Sequence, residues 1–226
     1  MIMENRKYGA LEGPYSCQMP EDERPTRLLI LLHGWGADGH DLAELSAALH
    51  QMMPDLACWF PHAPSPCSAN PMGRQWFEIS ERFYQDPAAS LPEMEEAAYI
   101  IESAIGEICD DLSLMSQDVI LGGFSQGGMM TLHIATNQRL EAAGFASLSG
   151  ALIGQVEPIS SSEATIFLAH GQQDQVVPFA ASKQAQTDLE DAGYQVELMA
   201  RADLGHGIDM AVLEGLGRYC HQVTSS

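Results

Sequence analysis

The segment Val119–Met130 constrains the fold of this chain more than any other stretch. An apolar run typical of a buried strand reaches Ser125, and a helical pattern begins directly after it. Ser125 lies in the pattern Gly123-x-Ser125-x-Gly127, in which the two glycines allow a strand and a helix to approach closely. The segment therefore predicts a nucleophile elbow, a sharp strand-to-helix turn that carries a reactive serine. The alternative is a glycine-rich connection that serves packing alone.

Two later segments supply the partners that a reactive serine requires. Thr165–Gly171 reads as a buried strand, and the turn after it carries Asp174. Val196–Ala200 reads as a final short strand, and His206 lies in the loop that follows. The order nucleophile, acid, base along the chain is that of α/β-hydrolases. In such a triad the imidazole accepts the serine proton and a buried carboxylate holds the imidazole in the correct tautomer.

Each partner also has a simpler interpretation. Asp174 can be an ordinary turn residue, and His206 can be an ordinary loop histidine between glycines. Asp203 and Asp209 lie closer to His206 in the sequence, but neither follows a strand directly. The other histidines are weaker candidates for the base. His33 and His170 end apolar runs, His133 lies inside the helix after the elbow, and His62 lies in a proline-rich loop.

A tetrahedral intermediate also needs hydrogen-bond donors for its oxyanion. The backbone N–H of Gln126, directly after the predicted nucleophile, is one candidate because it lies at the start of a helix. The second is the backbone N–H of Trp35, in the glycine-rich turn that follows the apolar run Leu28–Leu32. The Trp35 ring can in addition cover the loop, since the donor is the main chain.

Several blocks together resemble the phospholipase/carboxylesterase family, which includes acyl-protein thioesterases and bacterial carboxylesterases. The blocks cover most of the chain and are His33–Asp41, Pro61–Pro64, Arg74–Ile79, Gly123–Gly128, His170–Gly171 with Asp174 and Val177–Pro178, and Gly205–Ile208. The resemblance implies an α/β-hydrolase without a large lid domain that hydrolyses short to medium acyl esters, with thioesters as an alternative substrate class. It also implies catalytic roles for Ser125, Asp174 and His206. Trp35 and Gln126 match the family's oxyanion hole, although Trp35 stands where eukaryotic thioesterases commonly carry leucine.

Strand and helix patterns alternate along the chain, which predicts a mostly parallel sheet with helices on both faces. The 226 residues fit a single domain, with residues 1–25 as an N-terminal extension. One helix is expected over Asp41–Met53, with Asp41 and Glu44 as a capping pair. Further elements are expected at Leu28–His33, Leu56–Phe60, 91–114, Val119–Phe124, 126–137, Gly144–Leu148, Ile166–His170, 179–192 and Val196–Ala200.

The proline-rich segment Pro61–Asp86 is the longest irregular stretch. It is either a substrate-binding loop or a packed surface loop. Trp76 and Phe77 from this loop and Val176 near Asp174 are the candidate substrate-binding residues. Acyl transfer or lactone hydrolysis on the same scaffold, and a catalytically silent binding protein, are the alternative functions. The predicted partner is a small acyl ester or thioester, and the chain is compatible with a monomer or a homodimer.

The formal net charge of −21 argues against nucleic acid and anionic membranes as partners. No segment is long and apolar enough to predict stable insertion into a membrane. The five cysteines form an odd set without a CxxC motif, which favours reduced thiols and a cytoplasmic location. Cys58, His62 and Cys67 could be considered as metal ligands, but Cys58 reads as a core residue. No metal and no cofactor are predicted.

Overall fold

The computed structural model describes residues 3–20, 23–159 and 165–224. Its strands are β1 Met3–Tyr8, β2 Leu11–Cys17, β3 Arg27–Leu32, β4 Leu56–Trp59, β5 Ser65–Pro66, β6 Arg74–Gln75, β7 Val119–Phe124, β8 Gly144–Leu148, β9 Thr165–Gly171 and β10 Gln195–Arg201. Its helices are α1 His40–Ala43, α2 Ser46–Met52, α3 Glu81–Gln85, α4 Leu91–Leu112, α5 Gln126–Thr136, α6 Phe179–Asp191 and α7 Met210–Val223. Short 3-10 turns lie at Pro87–Ser90 and Ser116–Asp118.

One sheet contains every strand except β5 and β6, which pair with each other. The spatial order is β1-β2-β4-β3-β7-β8-β9-β10. The strands from β4 to β10 in that order are parallel, whereas β1 and β2 pair antiparallel with each other and β2 pairs antiparallel with β4. The predicted mostly parallel sheet is therefore confirmed, and its parallel strands share one carboxyl edge.

Helices cover both faces of the sheet, and the central strands β3 and β7 are accordingly buried at almost every position. Leu28, Ile30 and Leu32 of β3 pack with α4, α5 and α6 on one face. Leu29 and Leu31 pack with α1, α2 and α7 on the opposite face. Successive side chains of a strand point to opposite faces, so an uninterrupted apolar run is what a doubly covered strand needs.

The N-terminal residues add a hairpin that the sequence analysis did not predict. β1 and β2 pair over their whole length and extend the sheet beyond β4. Gly9 forms the turn with a φ of +55°, a conformation that glycine adopts readily. The edge strand β1 is mostly exposed and polar, so it lacks the apolar alternation from which a strand is recognised.

The helix expected over Asp41–Met53 is wrong in two respects. The segment is broken into α1 and α2, because the Leu45 amide bonds Leu42 O three residues back and the Ser46 hydroxyl donates to Ala43 O. The expected Asp41–Glu44 capping pair is also wrong, since α1 begins at His40. The His40 amide instead donates to the carboxylate of Asp38 at 2.8 Å.

Other predicted elements agree closely with the structure. The strands predicted at Val119–Phe124 and Gly144–Leu148 are confirmed in both bounds. The long helix ends at Leu112 because Ser113 takes a left-handed φ of 59°. None of the helices in the described ranges is long and apolar enough to cross a membrane.

Candidate active site

Ser125 lies directly after β7, at the carboxyl edge of the sheet, with φ 54° and ψ −114°. This conformation is rare for a residue with a side chain and is characteristic of a strained turn. The Ser125 amide donates to Leu148 O at 2.8 Å, and its carbonyl accepts from Met129 N of α5. The neighbouring strand and the helix therefore hold the turn from both sides, and the predicted sharp elbow is confirmed.

The two glycines of the elbow are required by close backbone contacts. A Cβ atom added to Gly123 would lie 2.3 Å from the Gly127 carbonyl carbon. One added to Gly127 would lie 2.0 Å from Leu32 O of β3. Real Cβ atoms do not approach backbone atoms so closely, so side chains at these positions would push α5 away from the sheet.

The structure brings the three predicted catalytic side chains together. His206 Nε2 lies 3.0 Å from Ser125 Oγ, and His206 Nδ1 lies 2.7 Å from Asp174 Oδ2. The His206 ring also packs on Phe124, with ring centroids 4.8 Å apart. A hydroxyl, an imidazole and a carboxylate thus form a continuous hydrogen-bonded chain. Such a chain can move a proton from the serine to the imidazole while the carboxylate stabilises the resulting charge.

A glycine in β9 allows the His206 loop to reach this position. A Cβ added to Gly171 would lie 2.2 Å from Leu204 O and 2.3 Å from Gly205 O. Gln173 N also donates to Leu204 O at 3.0 Å, which fastens the loop to the turn that carries Asp174. The acid and the base are therefore positioned by direct contact between the two loops that carry them.

The carboxylate of Asp174 is fully buried and densely hydrogen-bonded. Its Oδ1 accepts from the amides of Val176 and Val177, at 2.8 and 2.9 Å. Burial alone would raise the pKa of Asp174, but the hydrogen bonds from His206, Val177 and Val176 outweigh it and lower the pKa below its ordinary value. Asp174 is therefore ionised at neutral pH, as an acceptor for His206 must be.

His170 also contacts this carboxylate, which the sequence analysis did not predict. Its Nε2 lies 3.2 Å from Asp174 Oδ2 and 2.8 Å from Val177 O, and its Nδ1 bonds the Ser182 hydroxyl. The side chain is completely buried. The sequence interpretation of His170 as a packing residue at a strand end is thus incomplete, because the residue also fixes the turn around Asp174.

The loop after β3 carries Trp35 to the same edge of the sheet. A Cβ added to the preceding Gly34 would lie 3.4 Å from Ser125 Cβ, so the loop is in contact with the elbow. Gly36 turns the chain with a φ of +78°, and its amide donates to Arg74 O at 3.0 Å. The Trp35 indole N–H donates to Gln75 Oε1 at 3.0 Å. The loop is therefore held in place by hydrogen bonds to both residues of β6.

The side chain of Gln126 links the elbow to the irregular segment that contains Trp76 and Phe77. Its Oε1 accepts from Trp76 N at 3.0 Å, and its Nε2 donates to Phe77 O at 2.7 Å. The Trp76 indole N–H donates to His33 O at 2.9 Å. Gln126 is completely buried, so these bonds are shielded from water.

The three predicted substrate-binding residues differ in how far their side chains are exposed. Trp76 and Phe77 are each only 2 % exposed and belong to the hydrophobic core. The Trp76 ring supports the loop after β3 through His33, and the Phe77 ring packs on Phe83. Both rings expose little surface, and their contact with substrate stays a prediction. Val176 is 67 % exposed, two residues after Asp174, and its substrate contact stays a prediction.

Replacing Gln126 with leucine is expected to lower the free energy of unfolding by about 2 to 4 kcal/mol, because the Trp76 amide and the Phe77 carbonyl lose their buried partners. Urea unfolding would measure the change. Gln184→Leu is the matched control, since Gln184 bonds Asp188 on the exposed face of α6 and should change stability by less than about 0.5 kcal/mol. Equal effects of the two substitutions would contradict the interpretation.

His33, the first residue after β3, is a completely buried histidine. Its Nδ1 bonds Gly34 O and its Nε2 accepts from Ala63 N, which leaves no room for a second ring proton. Burial lowers the pKa of His33 from 6.5 to about 4, although Asp38 nearby favours the charged form. As the pH falls through 6.5 the unfolded chain takes up this proton first, so the folded state loses stability until about pH 4.

The expected loss of unfolding free energy from His33 alone is about 3 kcal/mol between those two pH values. Urea unfolding at a series of pH values would measure it. His33→Gln keeps an acceptor for Ala63 N and has no proton to gain, so its stability should fall less steeply over this range. Burial also lowers the pKa values of His50, His62 and His133, but these three histidines contribute equally to both proteins. Identical slopes for both proteins would refute the assignment.

Comparison with known proteins agrees with the fold and the geometry of the site. The phospholipase/carboxylesterase family model matches residues 16–223. The chain belongs to this family. It is a hydrolase of carboxylic esters with the α/β-hydrolase fold, as the resemblance in the sequence implied.

Individual relatives support the same assignment. Acyl-protein thioesterase 1 of Neurospora crassa is 27% identical over 219 residues, covering 88% of this chain and 87% of the relative. Esterase YpfH of Escherichia coli is 29% identical over 192 residues, covering 83% of this chain and 79% of the relative. The crystal structure of esterase PE8 superimposes with a TM-score of 0.82 and 28% identity, covering 94% of this chain and 99% of that one.

Proposed function

We propose that the chain is a serine esterase in which Ser125 is the nucleophile, His206 the general base and Asp174 the residue that orients the base. The observation that carries this proposal is the hydrogen-bonded chain from Ser125 Oγ through His206 to the buried carboxylate. The strained backbone at Ser125 supports it, because strain at a reactive residue holds the hydroxyl toward substrate.

In the first half of the reaction Ser125 Oγ attacks the ester carbonyl carbon while His206 Nε2 takes the hydroxyl proton. Collapse of the tetrahedral intermediate breaks the bond to the leaving group, which receives that proton from His206. Water then attacks the acyl-enzyme through the same steps, with His206 again taking the proton and returning it to Ser125. The acid product leaves and the free hydroxyl is restored.

We assign the oxyanion hole to the backbone amides of Trp35 and Gln126. The Trp35 amide makes no hydrogen bond within the described residues and lies next to Gly34, which contacts Ser125. The Gln126 amide lies at the first position of α5, where the helix dipole favours negative charge. The Gln126 side chain and Gln75 hold the two donors in place before substrate arrives, and preorganised donors stabilise the transition state.

Short to medium acyl chains are the proposed substrates. Trp76 and Phe77 are buried in the core and expose little surface for a long acyl chain, which favours a shallow site over a deep one. The net charge of −21 favours neutral esters over anionic ones, because a negative field slows the approach of anions. Thioesters belong to the same proposal, since a thiolate leaving group needs the same steps and a relative is an acyl-protein thioesterase.

The experiment is a series of p-nitrophenyl esters from acetate to palmitate, with the corresponding acyl thioesters, compared by kcat/KM. We expect the highest values for the short and medium chains and a steep fall toward palmitate. A maximum at palmitate would refute the shallow site. Product analysis with added alcohols and amines should give the free acid, and predominant acyl transfer to these acceptors would favour a transferase.

We further propose a cytoplasmic location. The five cysteines are all free, and Cys58, Cys67, Cys109 and Cys220 are buried. Thiols that are neither paired nor exposed suit a reducing compartment.

A further inference from the structure

Three side chains meet at the far end of the loop that carries Trp35, which includes Asp38 and leads into His40 at the start of α1. Asp38 and His40 follow β3, and His62 follows β4. One candidate ligand atom from each residue lies within 4.8 Å of the others. In the described part of the chain no other set of three or more histidine, cysteine, aspartate or glutamate side chains converges so closely. His62 is thus not grouped with Cys58 and Cys67, the ligands considered from the sequence.

We propose that Asp38, His40 and His62 bind a divalent transition-metal ion such as Zn²⁺. Two imidazole nitrogens and one carboxylate oxygen match the preferences of Zn²⁺, Ni²⁺ and Cu²⁺, whereas Mg²⁺ and Ca²⁺ prefer oxygen ligands alone. Three protein ligands leave one position of a tetrahedral zinc site for water. The site is separate from Ser125, Asp174 and His206 and supplies no step of ester hydrolysis.

The distances are close to those that an ion would impose. His40 Nδ1 lies 3.2 Å from Asp38 Oδ1, and His62 Nδ1 lies 4.0 Å from the same oxygen. Ligand atoms of a tetrahedral zinc ion stand roughly 3.3 Å apart, which follows from metal–ligand distances of about 2.0 Å. His62 must therefore approach Asp38 by less than about 1 Å. The His40 side chain is 62% exposed and can turn to meet the ion.

The other two ligands are held in place by the fold. The His62 side chain is only 21% exposed, and its Nδ1 accepts the Gly39 amide at 3.0 Å. Asp38 Oδ1 accepts the His40 amide at 2.8 Å. The rings of His40 and His62 lie side by side, with centroids 5.1 Å apart. His62 Nδ1 has one lone pair, which now accepts the Gly39 amide and also faces Asp38. A bound ion would use this lone pair, so ion binding would replace the hydrogen bond from Gly39.

The positively charged side chains near the three ligands do not prevent a cation from binding. Lys7, Glu12 and Arg74 line the same cleft. The Arg74 guanidinium is engaged by the carbonyl oxygens of Ala63 and Pro64, at 2.7 and 3.0 Å. Glu12 offsets Lys7, and the net charge of −21 on the whole chain favours cations near its surface.

The test is a titration of the full-length, chelator-treated protein with ZnCl₂ in competition with a chromogenic chelator. We expect one ion per chain, and a loss of affinity of at least about 10- to 100-fold in His40→Asn and in Asp38→Asn. His221→Asn, an exposed histidine near the end of α7, is the matched control and should bind as the wild type does. Substituting Co²⁺ should give the visible absorption of a four-coordinate site that is absent in His40→Asn.

His206→Asn separates this site from the triad, because it should keep the zinc affinity of the wild type. Unfolding midpoints in the absence of metal verify that each variant is folded. If either His40→Asn or Asp38→Asn does not fold, the other variant still decides the test. Wild-type affinity in both His40→Asn and Asp38→Asn would overturn the proposal, as would loss of binding in His206→Asn alone. Failure of this test would leave the serine esterase proposal untouched, since Ser125 takes no part in it.

Discussion

Ser125→Ala is expected to lower kcat for a short p-nitrophenyl ester by about 10⁴- to 10⁶-fold, because no other hydroxyl replaces the attacking oxygen. The remaining rate should reflect only the oxyanion donors and substrate binding. KM should change little, since the hydroxyl contributes to the transition state more than to binding of the ester. The stability of the protein should be retained or increased, because His206 is the single hydrogen-bond partner of the removed oxygen among the described residues.

Ser149→Ala is the matched control. Ser149 follows the neighbouring strand β8, is buried, and also has a left-handed φ, of 51°. Its hydroxyl has no hydrogen-bond partner within the described residues, so its removal should leave turnover near that of the wild type. Labelling with a fluorophosphonate and mapping by mass spectrometry should modify Ser125 in the wild type and in Ser149→Ala. Retained turnover or retained labelling in Ser125→Ala would refute the nucleophile assignment.

The elbow could be predicted from sequence because its requirements are local. Gly123, Ser125 and Gly127 lie within five positions, and the strand and helix that the turn joins are adjacent to them. Asp174 and His206 could be predicted because each follows a recognisable strand, and parallel strands deliver the residues after them to one edge of the sheet. Chain order and strand ends were thus sufficient for the three residues that the structure joins.

Features that depend on packing between distant segments were not predictable in this way. The burial of Trp76 follows from its bonds to His33 and Gln126, which are 43 and 50 residues away. The contact between His170 and Asp174 is local, but it depends on the backbone geometry of the turn after β9, which the residue types alone do not specify. Asp38 and His62 meet because β3 and β4 are parallel neighbours, a pairing that the sequence pattern does not specify.

The polar edge of the sheet was missed for a different reason. β1 carries the residues Met-Glu-Asn-Arg-Lys-Tyr, in which only the last is buried. Its position is stabilised instead by backbone pairing with β2 and by side-chain bonds to α4, such as Tyr8 to Asp111 at 2.7 Å. Polar edge strands of this kind limit pairing with other chains, and they lack the apolar alternation on which strand prediction depends.

Asp174→Asn is expected to lower kcat by about 10⁴-fold with little change in KM. The asparagine oxygen can still accept the amides of Val176 and Val177, so the turn should be retained. Its NH₂ group then faces His206 Nδ1 and donates to it. Because Nδ1 becomes an acceptor, the ring proton moves to Nε2, and His206 can no longer take the proton of Ser125.

Asp209→Asn is the matched control, because Asp209 lies three residues after His206 and was the nearer carboxylate in the sequence. It caps α7 by accepting the Val212 amide at 2.8 Å, a role that asparagine fills equally well, and it also pairs with Arg201. Its kcat should stay within about threefold of the wild type, since a surface ion pair contributes little. A fall of less than tenfold in Asp174→Asn, or equal losses in both variants, would show that Asp174 does not set the tautomer of His206. Proton NMR of the His206 ring in each variant would then report directly which nitrogen carries the proton.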